Sequence, residues 1–172
     1  MCRTANGLDI NGLGQQKDGR GNICPVTIIM PTLAMEAVNA AAEECEADAI
    51  ESFMTLLDKK IHEAKDMLIE RFEYICRQSP ESAKFMYENN LMAGYVPKEG
   101  IRSALKHGTI VIGQLGLAET LEILIGKNHT TPEGMELAKR IEQLFKTRCA
   151  EFKEEYRLNF GVYYTPKNSW VA

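Results

Sequence analysis

Strong metal-ligating side chains are scarce in this sequence. It has three histidines and five cysteines, with no C-x-x-C pair and no H-x-x-x-H spacing, so no metal site is expected in the chain. The cysteine count is odd (Cys2, Cys24, Cys45, Cys76 and Cys149), which argues against a disulfide framework and suits a reducing cytoplasm. A basic surplus is also missing. Twenty Lys and Arg face 24 Asp and Glu, giving a net charge of −4 and a pI near 5.5. Neither nucleic acid nor a membrane surface is indicated as a partner. The N-terminus has no apolar core of a signal peptide. The longest apolar run, from Ile110 to Ile125, is broken by Gln114, Glu119 and Glu122 and is too short and too charged to span a bilayer. No internal repeat or low-complexity segment occurs. What is present, 172 residues with 45% hydrophobic and 26% charged, suits one globular domain with a real core.

The chain opens on a glycine-rich run, CRTANGLDINGLGQQKDGRGN, with little apolar periodicity. It reads as a flexible loop. Ile23 to Met30 is β-branched and apolar on both faces, which predicts a strand covered on both sides. Thr32 to Cys45 reads as a helix with a break near Asn39 or Glu46. Ile50, Phe53, Met54, Leu57, Ile61, Ala64, Leu68, Phe72 and Ile75 then recur at steps of three and four, a helix from about Asp48 to Gln78. Its other face, with Asp58, Lys59, Glu63 and Glu70, reads as solvated, and His62 beside it as exposed. Ser79-Pro80-Glu81 caps a further helix to about Asn90, with Met86, Leu91 and Met92 as packing residues. A linker, Gly94 to Gly100, leads to a helical turn over Ile101–Lys106. Thr109 to Leu115 predicts a second buried strand, and Leu117 to Ile125 a helix closed by Gly126. Thr131-Pro132-Glu133 starts a helix running to about Arg157. Asn159 to Tyr164 predicts a third strand, followed by a polar turn, Thr165 to Ser169. Strands separated by helices imply a parallel α/β arrangement.

Several residues could carry chemistry. Cys2 is either a thiol projected on a loop or an ordinary free cysteine; nothing nearby except Arg3 would activate a thiolate. A thiyl radical would not need that activation. Cys24, inside the strand, reads as core. Asn22 stands where loop becomes strand. Its amide could hydrogen-bond a ligand as donor and acceptor, or it could serve the turn Arg20-Gly21-Asn22. Gly113-Gln114-Leu115-Gly116 reads as a turn between strand and helix, better suited to packing than to anion binding, with Glu119 favourably placed on the helix dipole. Thr165-Pro166-Lys167 follows the carboxyl end of the third strand, where ligands of α/β sheets gather. It could hold phosphate or be a frayed terminus.

Together these segments resemble the anaerobic (class III) ribonucleoside-triphosphate reductases, a glycyl-radical family. The matching stretches are Cys2-Arg3-Thr4, GRGNICPVTIIMPTLAMEA, LIERFEYICR, LKHGTIVIGQLGLAETLEILIGK and LNFGVYYTP. They occur in the family's order and cover nearly the whole chain. The resemblance implies a ten-stranded β/α barrel of two five-stranded halves threaded by a finger loop. On it, residues 1–22 correspond to the finger-loop tip and residues 23–172 to part of the second half-barrel, with long helices outside.

Carried over by position, Cys2 matches the cysteine that becomes the thiyl radical and abstracts the ribose 3′ hydrogen. Asn22 matches the asparagine that holds the ribose. Thr165 and Pro166 match the start of a phosphate-binding turn. There the sequence departs from the family, which continues T-P-A-E-N-L where this chain has Thr165-Pro166-Lys167-Asn168-Ser169-Trp170. The resemblance further implies a ribonucleoside triphosphate substrate, a homodimer, and a radical glycine installed by an iron–sulfur, S-adenosylmethionine-dependent activating enzyme. It also implies a four-cysteine zinc site. The radical glycine, the zinc cysteines, a regulatory ATP cone and the first half-barrel find no match in these residues. The isolated chain is therefore expected to be an inactive fragment of the reductase. Two alternatives remain: a non-catalytic nucleotide-binding or interaction remnant of the same fold, and a pyruvate formate-lyase relative. The latter carries adjacent active-site cysteines, whereas Cys2 is followed by Arg3.

Overall fold

The computed structural model describes residues 7–43 and 48–164. In order they form β1 (Asn22–Ile29), α1 (Met30–Glu43), α2 (Ala49–Cys76), a 3₁₀ turn (Pro80–Ala83), α3 (Lys84–Glu88), a second 3₁₀ turn (Pro97–Glu99), α4 (Arg102–Leu105), β2 (Thr109–Leu115), α5 (Leu117–Ile125), α6 (Pro132–Tyr156) and β3 (Asn159–Tyr164). No helix among the described residues is long and apolar enough to cross a membrane.

Side-chain caps set the starts of α2, α6 and the first 3₁₀ turn. Asp48 Oδ1 accepts the Ile50 N–H at 2.9 Å before α2, and Thr131 Oγ1 accepts the Gly134 N–H at 3.2 Å before α6, each meeting an otherwise orphaned donor. Ser79 caps the turn after α2, as the sequence suggests, by accepting from Glu81 N at 3.2 Å. One continuous helix to Asn90 does not follow, because Ala83 takes φ −141° and ψ 48° and splits the segment into a 3₁₀ turn and the short α3. Helix α1 runs unbroken through Asn39; the other proposed break, Glu46, lies outside the described residues.

The strands form a sheet in the order β1-β2-β3. Gly108 lies against Ile23, and Gly113 against Thr27. Partners advance together along the two strands, so β1 and β2 are parallel. The central strand is buried from Thr109 through Gln114, as a parallel strand covered on both faces should be. The edge strand β1 departs from the expectation: Ile23 and Ile28 are buried, but Pro25 and Thr27 are exposed and Ile29 is 55% exposed. Gly113 allows a close approach of the two strands, since a Cβ there would stand 2.6 Å from Thr27 Oγ1. The side chain of Cys24 lies outside what is described.

By their internal contacts the described residues divide into two compact units. One comprises 7–26, 65–112 and 149–161; the other comprises 27–43, 48–64, 113–148 and 162–164. In the second unit, α1 packs on α5, and Phe53, Leu57, Ile61, Leu121, Ile141 and Phe145 are fully buried. Arg148 grips Asp58 with two hydrogen bonds, 2.7 and 2.9 Å, and Arg140 reaches Glu51 at 2.7 Å. Positions 51 and 58 of α2 thus meet 140 and 148 of α6, two turns apart on each, so these stretches run side by side in one direction. In the first unit, Leu68 and Phe72 of α2 and Phe152 of α6 are buried, and Phe152 meets Phe160 of β3 edge-on at 5.6 Å. Tyr87, Ile101 and Ala104 form a smaller cluster to which Met92 adds. Met86 and Leu91, expected to pack as well, are 41% and 44% exposed, because the split of the segment at Ala83 leaves α3 only five residues long.

The glycine-rich run is tied down within the first unit. Asp9 is only 4% exposed, and its carboxylate accepts four hydrogen bonds. Oδ1 takes Asn11 N at 3.1 Å and Asn159 Nδ2 at 2.7 Å. Oδ2 takes Leu13 N at 2.8 Å and lies 2.8 Å from His107 Nδ1. Asn159 Oδ1 accepts from Ile10 N at 3.0 Å, and Asn11 donates to the carbonyls of Lys106 and Arg157. Behind the histidine is Gly94, with φ +75°, where a Cβ would stand 2.4 Å from the imidazole. The run is a loop, as its glycines suggest, but residues 9–20 are anchored rather than free.

Burial alone would raise the Asp9 pKa. The hydrogen bonds from Asn159, His107, Leu13 and Asn11 outweigh it and hold the group at about 2, below the usual 3.8. A carboxyl depressed in the folded state stabilises fully above its unfolded pKa and loses that contribution as pH falls through the folded one. Asp9 should therefore contribute roughly 2 kcal/mol at neutral pH, lost between about pH 4 and pH 2. In urea unfolding, Asp9→Asn is expected to be less stable by about 2 kcal/mol or more at pH 7, with the gap to the parent chain closing towards pH 2. A gap independent of pH would contradict this assignment. Gly113→Ala should cost about 1–3 kcal/mol by crowding Thr27. In a Thr27→Ala background the cost should shrink, giving a non-zero coupling in the double-mutant cycle.

Candidate functional site

The sequence points to Cys2, Asn22, Thr165 and Pro166. Cys2, Thr165 and Pro166 lie outside the described residues; Asn22 is described. The site can therefore be built from the junction where loop becomes strand.

Arg20 organises that junction. Its Nε donates to the His107 carbonyl at 2.6 Å, and its Nη1 to the carbonyls of Gly7 and Gln16 at 2.9 and 2.7 Å. A backbone turn closes from Arg20 N to Lys17 O at 3.3 Å, and Ala93 N donates to Gly19 O at 2.9 Å. Gly21 O then accepts from Thr109 N at 2.9 Å, joining the end of the loop to the start of β2. The fork of Arg20 suits this task, since a guanidinium offers five donors in a fixed plane.

Asn22, the first residue of β1, is half-buried. Its Oδ1 is buried and has no hydrogen-bond partner among the described residues, and the same holds for Arg20 Nη2. An unpaired buried polar atom costs about 1–3 kcal/mol and in a folded protein calls for an explanation. Of the two roles open to Asn22, the turn's hydrogen bonds are supplied by Arg20 and the backbone. The Asn22 carbonyl oxygen is left able to accept from a donor brought to it.

The other candidates fall differently. Gly113 to Leu115 belongs to β2 itself rather than to a turn. Gly116, at φ +84°, makes the bend into α5, and Glu119 sits in that helix's first turn. Gln114 is buried and donates to Glu142 Oε1 at 2.7 Å, with its own Oε1 unpaired among the described residues. Among the described thiols, burial pushes Cys149 up to about 12 and also raises Cys76, despite Arg102 nearby. Both remain protonated at neutral pH and are poor nucleophiles. No group of three or more His, Cys, Asp or Glu among the described residues could hold a metal ion.

Asp9, His107 and Asn159 were not legible as site residues. Their one sequence signal is position: His107 comes two residues before β2, and Asn159 opens β3, polar side chains at the entrances of apolar strands. What they share, Asp9, lies 98 and 150 positions away from them in the chain.

The family described as anaerobic ribonucleoside-triphosphate reductase matches residues 1–171. The chain is 27% identical over 174 residues to the anaerobic ribonucleoside-triphosphate reductase of Escherichia coli (strain K12), covering 98% of this chain and 23% of that protein. It is 24% identical over 161 residues to the Haemophilus influenzae enzyme, covering 88% of this chain and 21% of that one. The fold is similar to that of the anaerobic ribonucleotide reductase from Thermotoga maritima crystallised with citrate in the active site. The TM-score there is 0.66 at 19% identity, over 88% of this chain and 25% of the other. The chain thus spans about a quarter of the length of the relatives it matches. With the family matched along residues 1–171 of 172, the chain belongs to the anaerobic ribonucleoside-triphosphate reductase family.

Proposed function

We propose that these residues supply the thiol and part of the ribose-binding side of an anaerobic ribonucleoside-triphosphate reductase. Residues 1–22 form its finger-loop tip, and residues 23–172 part of a β/α half-barrel. The observation that carries this reading is the buried Oδ1 of Asn22, unpaired among the described residues, 20 positions after Cys2 in a loop whose base is fixed. A ribose hydroxyl is a donor of the right kind for that oxygen. The Cys2 sulfur, as a thiyl radical, takes the 3′ hydrogen atom from the ribose. An S–H bond forms, the C–H bond breaks, and a ribose radical remains, from which the 2′ hydroxyl leaves as water on protonation; the two electrons of the net reduction come from an external reductant, formate or a thiol protein. Arg20 and the Asp9 network keep the junction rigid, since a displacement of about 1 Å can cost a hundredfold in rate. Thr165 and Pro166 begin the turn that meets the triphosphate.

The radical that oxidises Cys2 comes from a glycine outside these residues, installed by a radical S-adenosylmethionine activating enzyme. The zinc site, likewise, is held elsewhere in the reductase. The working enzyme is a homodimer in a reducing cytoplasm.

In the assembled reductase, Cys2→Ser should abolish anaerobic conversion of ribonucleoside to deoxyribonucleoside triphosphates while leaving nucleotide binding intact. Turnover that survives this substitution would sink the reading, and binding without any turnover in the parent enzyme would favour a nucleotide-binding role alone. Asn22→Ala should weaken ribonucleoside triphosphate binding about five- to tenfold, the worth of one buried hydrogen bond, measured by equilibrium dialysis. Unchanged affinity would remove Asn22 from the site.

A further inference from the structure

Gln114 is the odd residue of β2. Ile110, Val111 and Ile112 before it are buried and apolar, and Gln114 is buried with them at 3% exposure. A buried amide costs stability unless it is hydrogen-bonded. This one is satisfied on one side: Nε2 donates to Glu142 Oε1 at 2.7 Å, while Oε1 is unpaired among the described residues. The consequence lies on α6. Lys139, Glu142 and Lys146 follow one another at steps of three and four, the spacing at which a carboxylate ordinarily pairs with lysines. Here the Gln114 amide draws the carboxylate toward the sheet instead. The arginines of this stretch are engaged, Arg140 with Glu51 and Arg148 with Asp58, whereas Lys139 and Lys146 enter no ion pair among the described residues.

The same face of α6 lines a cavity of about 550 Å³ in the second unit, within the range of small-molecule sites, roughly 300–1,000 Å³. Leu117, Met135 and Ala138 give it apolar walls, Lys139, Lys146 and His129 its basic groups, and Glu142 its one carboxylate. We propose that this cavity binds a small organic phosphate, an aromatic or other apolar body carrying a phosphoryl group. The two lysines lie about 10 Å apart along the helix axis, and their flexible four-carbon stems let both ammonium groups reach one phosphoryl group between them. The apolar walls take the body. Gln114 acts as a positioning residue, since it keeps Glu142 off the lysines and leaves them to the ligand. Lysines on an open helix face would attract anions weakly and without regard to what else the anion carries. A cavity that joins cations to apolar walls prefers the anion with an apolar body.

The test uses the 172-residue chain. Its lysines are acylated with N-acetoxysuccinimide and mapped by mass spectrometry during titration with 1-naphthyl phosphate, 1-naphthol or inorganic phosphate, with exposed Lys98 as reference. Naphthyl phosphate should slow acylation of Lys139 and Lys146 with a common midpoint, and leave Lys98 unchanged. That midpoint should lie about tenfold below the one for inorganic phosphate, as burial of roughly 55 Å² of apolar surface gives. Naphthol should protect neither lysine. Lys146→Gln, on the exposed face, should raise the midpoint at Lys139 about fivefold. Absence of protection, protection by inorganic phosphate at the same midpoint, or a midpoint unmoved in Lys146→Gln overturns the site.

Gln114→Leu keeps the bulk but releases Glu142, and should raise the midpoint about fivefold. Adding Glu142→Gln should bring it back to within about twofold of the parent, a rescue that a merely structural role for Gln114 would not give. A midpoint unmoved in Gln114→Leu, or not rescued, overturns the positioning role. If Gln114→Leu exposes the buried thiol of Cys149 to iodoacetamide, Glu142→Gln alone decides. Acylation of Lys139 and Lys146 without ligand should then stay within about twofold of the parent; a larger rise means that Glu142 already engages the lysines, and overturns the role.

Discussion

A carboxylate shut away from water must be hydrogen-bonded by the protein or give up its charge, and Asp9 is the place where this chain meets that demand. Its side chain is inaccessible, and its four hydrogen-bond partners come from the loop itself, from the approach to β2 and from the first residue of β3. Because each partner is directional, satisfying the charge also determines where the loop enters the sheet. The run of glycines makes this possible at low steric cost. The hydrogen bonds, not the glycines, choose one conformation out of many.

The sheet adds a second constraint. Parallel neighbours cannot be joined by a tight hairpin, so each connection must travel back along the sheet. The chain does this with helices, α1 and α2 between β1 and β2, and α5 and α6 between β2 and β3. The central strand can then be apolar throughout, while the edge strand β1 keeps Pro25, Thr27 and Ile29 open on one side. That open face belongs to a chain covering only about a quarter of the length of its relatives.

These two constraints converge at the junction of loop and strand. Arg20 spends its donors on three carbonyls, which relieves Asn22 of any duty in the turn. An amide oxygen freed in this way, and buried, is a feature that stability alone does not explain. The role proposed for Asn22 rests on it.

Much of this architecture could be read directly from the residues. The stripe from Phe53 to Phe72 announces α2, Thr131-Pro132-Glu133 announces α6, and the β-branched run Thr109–Leu115 announces β2, because period and capping are local properties recorded in consecutive residues. The order of strands and helices, the parallel class and the family resemblance follow from the same local record. Burial, by contrast, depends on what lies opposite. Thus Ile29, Met86 and Leu91, all apolar, are exposed, and Asp9, His107 and Asn159, all polar, are buried. Gly113 looked like a turn residue and proved to be a point of close strand contact. Local residue patterns carried the elements, their order and the lineage. Contacts in the folded chain settled which strand face is covered, that the glycine-rich loop is held rather than free, and that the Asn22 oxygen is unpaired among the described residues. The reason is that hydrogen-bond partners 51 to 150 positions apart leave no periodic signal in the chain.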